Sequence, residues 1–151
     1  MSKTTHRVSR YLPLLLWMVF ISFASTAEFS SANTSRIIRP LVLWLFPETS
    51  EATLQTIHFA VRKLAHFTEY AVLGFLAARA FFTSSVAPLR RRWFVVALFV
   101  IVIYSLLDEY HQSFVPSRTA SIYDSMIDTI GGFAGLLIYW RRRRRRLTHD
   151  R

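Results

Sequence analysis

The sequence predicts an all-α integral membrane protein, a four-helix bundle with a short interfacial or re-entrant segment between its first two spans. Three observations predict it. Apolar stretches place spans at about 11–28, 58–82, 93–112 and 121–140, against the roughly 20 helical residues that cross a hydrocarbon core. The composition is 52% hydrophobic with a mean hydropathy of +0.29. The positive charge gathers at the ends that an alternating path puts on one side. Lys3, Arg7 and Arg10 precede the first span, Arg90 to Arg92 precede the third, and Arg141 to Arg146 follow the fourth. With Arg151 these make 13 of the 19 Lys/Arg, the asymmetry of a chain with both termini in the cytoplasm.

The 151 residues suit one domain, 1–151. A net charge of +10 would fit a nucleic-acid binder, but the hydrophobicity excludes a soluble one, and the arginine run reads as a topology anchor with affinity for anionic lipid. There is no cysteine, which excludes disulfides, a thiol nucleophile and thiolate metal ligands.

Residues 1–27 have a basic start, an apolar centre and a Ser25-Thr26-Ala27 ending. They read as an uncleaved first span or as a signal peptide cut after Ala27, with the same topology for the remainder of the chain. Pro40 and Pro47 bracket an apolar piece too short to span, which fits an interfacial or re-entrant segment with Trp44 at headgroup level. In the second span Arg62, Lys63, His66, Glu69 and Tyr70 fall within an arc of about 120°. The stretch from Phe81 to Arg92 reads as a short cytoplasmic loop. In the third span Ser105, Asp108, Glu109 and Gln112 share an arc of about 100°. An outer turn, Pro116-Ser117-Arg118, leads to the fourth span. There Ser121 and Asp124 have the spacing of a capping box. Ser121, Asp124, Ser125, Asp128, Gly131, Gly132 and Gly135 form one face, and Gly131-x-x-x-Gly135 permits close helix contact.

Three helices therefore each turn a polar face, and every charged member falls in the outer part of the membrane. Ionisable groups there are costly and mark a functional-site hypothesis. The residues that define the faces also carry a resemblance. KLAHFTEYAVLG and DEYHQSFVPSRTASIYDSMIDTIGG are similar to the VanZ-like family of small bacterial membrane proteins. The shared positions are Lys63, His66, Phe67, Glu69 and Tyr70, then Asp108, Glu109 and Gln112, then Pro116, Arg118, Ser121 and Asp124, all within residues 60–136. Asp128 stands where the family often has Asn. The resemblance implies a four-helix protein of the bacterial cytoplasmic membrane. The family takes its name from an accessory protein of teicoplanin resistance, so an effect on glycopeptide susceptibility is its expectation; it implies no settled activity.

The leading functional expectation is a site for an anionic cell-envelope lipid or a lipid-linked phosphate or glycan. Lys63, Tyr70, Gln112, Arg118, Ser121, Asp124 and Asp128 would form its binding wall, with Lys63 and Arg118 as the charge-assisted donors. His66, Glu69, Asp108 and Glu109 would move protons if the site is catalytic, His66 being the group that titrates near neutral pH. No resident cofactor or metal is assigned. Three alternatives stay open: a non-catalytic scaffold whose charges pair off as a structural network, a metal-dependent hydrolase or transferase using His66, Glu69, Asp108, Asp124 and Asp128, and a proton-coupled carrier. A homo-oligomer is compatible with each.

The absence of native cysteine makes the topology testable with single substitutions. Ser117→Cys is expected to react with a membrane-impermeant maleimide on intact cells, and Ser85→Cys only after permeabilisation. The reverse pattern would invert the assignment of sides.

Overall fold

A computed structural model describes residues 3–26, 31–115 and 121–149. Among them the chain is all-α. Its six helices are α1 (Lys3–Ala24), α2 (Ser31–Leu45), α3 (Glu51–Phe82), α4 (Ala87–Arg91), α5 (Trp93–Gln112) and α6 (Ile122–His149). The turn that holds Pro116 and Arg118, and Ala27 of the cleavage reading, lie outside the described residues.

The long helix α3 is the axis. Its most extensive contact is with α6, α5 packs against both, and α1 and α2 lie on α3 from other directions. Glycine makes the central contact. A Cβ on Gly131 or Gly135 would run into the backbone carbonyls of Phe67 and Ala71, and one on Gly74 into that of Gly132. The two backbones thus touch directly along the stripe that the Gly131-x-x-x-Gly135 pattern marks.

The interior has two zones. Toward the start of α5 it is apolar: Leu73, Ala77, Ala78, Ala97, Ile101 and Leu136 are fully buried. Phe82, Trp93 and Tyr139 close that end, with ring centroids 5.7–6.0 Å apart. Toward the end of α5 the buried side chains are His66, Asp108, Glu109, Gln112, Asp124 and Asp128. The outward faces are the reverse, with Val19, Phe23, Val95, Phe99, Met126 and Ile130 all exposed.

Four local features depart from the sequence reading. Helix α2 runs through Pro40 instead of starting there. Pro40 and Arg36 are both exposed, so the Arg36 carbonyl that loses its partner is left at an exposed turn. The segment between α3 and α5 contains the short helix α4, opened by Pro88 near its first position. Helix α3 starts at Glu51, earlier than the span, because Ser50 caps it by accepting from the Thr53 N–H at 3.2 Å. Helix α6 continues past Trp140 through the whole arginine run. Arginine is a good helix former, and Arg142 and Arg143 fold back over the rings of Phe75 and Phe82.

By length and composition α5 is the one described helix apolar enough to cross a membrane, and Val8–Ala24 of α1 is a shorter apolar stretch. Helix α1 is bonded into the bundle. Trp17 Nε1 donates to the Glu69 carbonyl at 2.8 Å, and the Tyr104 hydroxyl donates to the Met18 carbonyl.

Gly135→Ala is expected to lower stability by about 1–3 kcal/mol, the cost of overpacking a closed contact. Ile130→Ala on the exposed face should change it little. Thermal unfolding of the detergent-solubilised protein measures both.

Candidate functional site

The site follows from the α3–α6 contact. One to two turns beyond the touching glycines, α6 presents Asp128 and Asp124, and α3 presents His66 and Lys63 at matching heights. Lys63 Nζ donates to Asp124 Oδ1 in an ion pair that is largely buried. Below it His66 Nδ1 stands 3.3 Å from Asp128 Oδ1, close but out of line for a hydrogen bond.

Helix α5 brings the other acids. The spacing Ser105, Asp108, Gln112 puts these side chains on successive turns facing α1 and α6. Gln112 Nε2 donates to Asp108 Oδ2 at 3.0 Å and to Ser25 Oγ of the α1 terminus at 3.3 Å. Ser125 Oγ donates to the Ser105 carbonyl at 3.3 Å, and the Ser105 and Thr129 hydroxyls meet at 3.2 Å. Ligand atoms of His66, Asp108 and Asp128 all lie within 4.8 Å of one another. These three residues are no more than 8% exposed, and Asp128 is completely buried.

Glu109 does what the capping box assigns to Asp124. Its Oε2 accepts from the Ser121 backbone N–H at 2.7 Å, and Ser121 Oγ accepts from the Tyr123 N–H at 3.3 Å. A residue of α5 therefore completes the N-terminal cap of α6, which leaves Asp124 for Lys63. The capping-box expectation is corrected to that extent.

The expected site residues thus separate into groups. His66, Asp108 and Asp128 converge, with Gln112 orienting Asp108. Lys63 and Asp124 pair one turn nearer the α6 terminus, beside Glu109 and Ser121. Tyr70 is fully buried, its hydroxyl 3.4 Å from the Tyr104 carbonyl, and serves as a wall. Glu69 and His66 border a small cleft of about 130 Å³ with Ser25, Thr34 and Arg62. Arg118 lies outside the described residues.

Arg62 and His58 escape assignment from sequence. Arg62 borders that small cleft and two larger ones, about 400 Å³ between α2 and α3 and about 420 Å³ toward Lys63 and Ser121. Its Nε is buried without a hydrogen-bond partner among the described residues, as is Nε2 of His58. The available signal is the four-residue spacing of His58, Arg62, His66 and Tyr70, which stacks them on one face of α3.

This constellation, buried acids and a histidine inside an all-α bundle with an apolar exterior, defines a helical protein with a polar interior site. The VanZ/LLP1 family model matches residues 9–143, nearly the whole described chain, and the protein belongs to that family. The match includes α1, which lies outside the motif region that carries the sequence resemblance. No curated protein and no solved structure matches it.

The Lys63–Asp124 pair has a specific mutational signature. Lys63→Met leaves a buried carboxylate unpaired and should cost about 3 kcal/mol. Adding Asp124→Leu should return most of that loss, because an apolar pair of similar volume replaces the ions. Denaturation of the single and double variants in detergent gives the comparison.

Proposed function

We propose that the protein is an integral membrane protein that binds the anionic headgroup of a cell-envelope lipid or lipid-linked phosphate from the extracytoplasmic side. Helices α1, α3, α5 and α6 are its four spans and α2 lies at the outer interface. The distribution of side chains supports the membrane reading. Among the described residues, large apolar side chains cover the outward faces, while ten polar or charged residues are buried. That is the arrangement hydrocarbon selects, since a charge facing lipid costs several kcal/mol. The bonds from α1 to α3 and α5 support its retention as a span.

The position of Arg62 carries the headgroup reading. Arg62 lines three clefts along the first half of α3, and its guanidinium has a planar set of donors suited to phosphate. Lys63 is engaged by Asp124, so Arg62 takes the donor role that the sequence suggests for Lys63, with Arg118 as its counterpart from the outer turn. Beyond Arg62 lie His66 and Glu69, the groups placed to accept or return a proton at a bound headgroup. Any chemistry there is hydrolysis or transfer at a phosphate or glycosyl linkage, and an influence on glycopeptide susceptibility follows from removing or masking such a lipid.

Native mass spectrometry of the detergent-purified protein tests this reading. The wild type is expected to retain a phospholipid or a lipid-carrier phosphate that Arg62→Ala loses. Lipid-free spectra from both proteins would remove the reading.

A further inference from the structure

We propose that His66, Asp108 and Asp128 form a binding site for one divalent metal ion, of the manganese or zinc type, in the core of the bundle. This goes beyond the headgroup reading and does not depend on it.

The first support is convergence. One residue from each of α3, α5 and α6 supplies a ligand atom, all within 4.8 Å of one another, and no two of them are neighbours in sequence. Atoms sharing one such ion sit about 3–3.4 Å apart, given metal–ligand bonds of about 2.0–2.2 Å. The His66–Asp128 distance is already 3.3 Å. The two remaining sides, both to Asp108, are at most 4.8 Å, so closing them needs Asp108 to move by no more than about 1.5 Å, within rotamer adjustment.

The second support is independent of the clustering. Asp128 has no exposed surface, yet neither of its carboxylate oxygens has a hydrogen-bond partner among the described residues. His66 Nδ1, in a residue 8% exposed, is likewise unpartnered. One ligand atom each of His66, Asp108 and Asp128 lies within 4.8 Å of the other two. A buried carboxylate without partners costs several kcal/mol, and the same carboxylate coordinating a cation does not. Asp124 has Lys63 and Asp108 has Gln112 on one oxygen, while Glu109 accepts from the Ser121 N–H with Oε2 and keeps a buried Oε1 without a hydrogen-bond partner among the described residues. Protonated His66 would answer one oxygen of Asp128 and leave the other, and Asp108 beside it, without a counter-charge.

The ligand set selects the metal class. One imidazole nitrogen with carboxylate oxygens suits manganese or zinc, whereas calcium and magnesium favour all-oxygen shells. Gln112 supports the site from outside, since its amide fixes Asp108 while its second contact ties the group to Ser25. Such outer groups set ligand orientation. The trio contributes two carboxylates and a neutral imidazole, so a bound divalent ion leaves the core near neutrality. Where the headgroup reading also holds, the ion adds a positive centre below Arg62.

The test is titration of chelator-stripped, detergent-purified full-length protein with Mn²⁺ alone and with Zn²⁺ alone, by calorimetry and, for Mn²⁺, by electron paramagnetic resonance. One ion per chain is expected, with electron-spin-echo modulation from a directly bound nitrogen. His66→Gln should abolish that modulation. Asp128→Asn should weaken binding by more than the roughly 10–100-fold loss that removing a supporting group produces. Glu48→Gln, on an exposed residue between α2 and α3, should bind as the wild type does. Circular dichroism confirms that each variant is folded, and His66→Gln decides the matter by its spectrum if Asp128→Asn is not. Folded wild type that binds neither ion, or binding that keeps its nitrogen signal in His66→Gln, overturns the proposal. Lipid retention by the stripped protein is read separately, so either site can fail without the other.

Discussion

The closeness of two helix backbones governs the rest of this molecule. Gly74, Gly131 and Gly135 let α3 and α6 approach until any Cβ at these positions would enter a carbonyl of the other helix. Two helices held that near cannot keep long side chains between them, so the groups at the touching turns are glycine and alanine. Larger side chains appear only beyond that contact. There α3 offers Lys63 and His66, α6 offers Asp124 and Asp128, and the short gap makes each pair meet. Small residues in membrane helices are usually read as adhesive. Here they also act as a spacer that fixes how far apart the functional side chains stand.

The second constraint is polarity. Helices α3, α5 and α6 each have an exposed apolar face, with Leu64, Leu106, Leu107, Met126 and Ile130 on the same helices as the buried ionic groups. Turning the charges inward satisfies the exterior and shifts the cost to the core. The core answers it unevenly. Near the start of α5 apolar packing and an aromatic layer dominate, with the buried Ser84 accepting from the Tyr11 hydroxyl. Near its end there are four buried acids among the described residues.

Much of this is legible in the sequence, because helical periodicity reports which residues share a face. The arcs of Ser105–Gln112 and of Asp124–Gly135 are the ones found buried, and the Gly131-x-x-x-Gly135 stripe lies on α3. What periodicity does not report is the partner across a gap. Ser121 and Asp124 have capping-box spacing, yet the N–H of Ser121 goes to Glu109, twelve residues earlier and on another helix. Lys63 reads as a free cation for an anion, and it is an ion-pair partner of Asp124. Arg62 sits on the same arc without standing out there, because its value lies in bordering clefts that exist only once α2 and α6 are in place. Helix ends differ from the sequence reading for a simpler reason. Hydropathy marks where lipid-compatible sequence stops, and the helical hydrogen bonds of α6 continue through arginines that favour them.

The polar cluster contains two kinds of residue, and the difference bears on whether it is scaffold or site. A network selected for stability satisfies its members, since an orphaned buried group costs more than an apolar replacement would. Lys63, Asp124, Ser121 and Gln112 behave that way, each with a partner within bonding distance. They hold the outer ends of α3, α5 and α6 together and can be explained as structure. Asp128 cannot, because it is completely buried and neither of its oxygens has a hydrogen-bond partner among the described residues, with His66 Nδ1 3.3 Å from one of them. The scaffold reading therefore accounts for the rim of the cluster and fails at its centre. An ion pair, a shared cap and an amide bridge hold three helices around that centre, and an unsatisfied carboxylate there is what the proposed cation would answer.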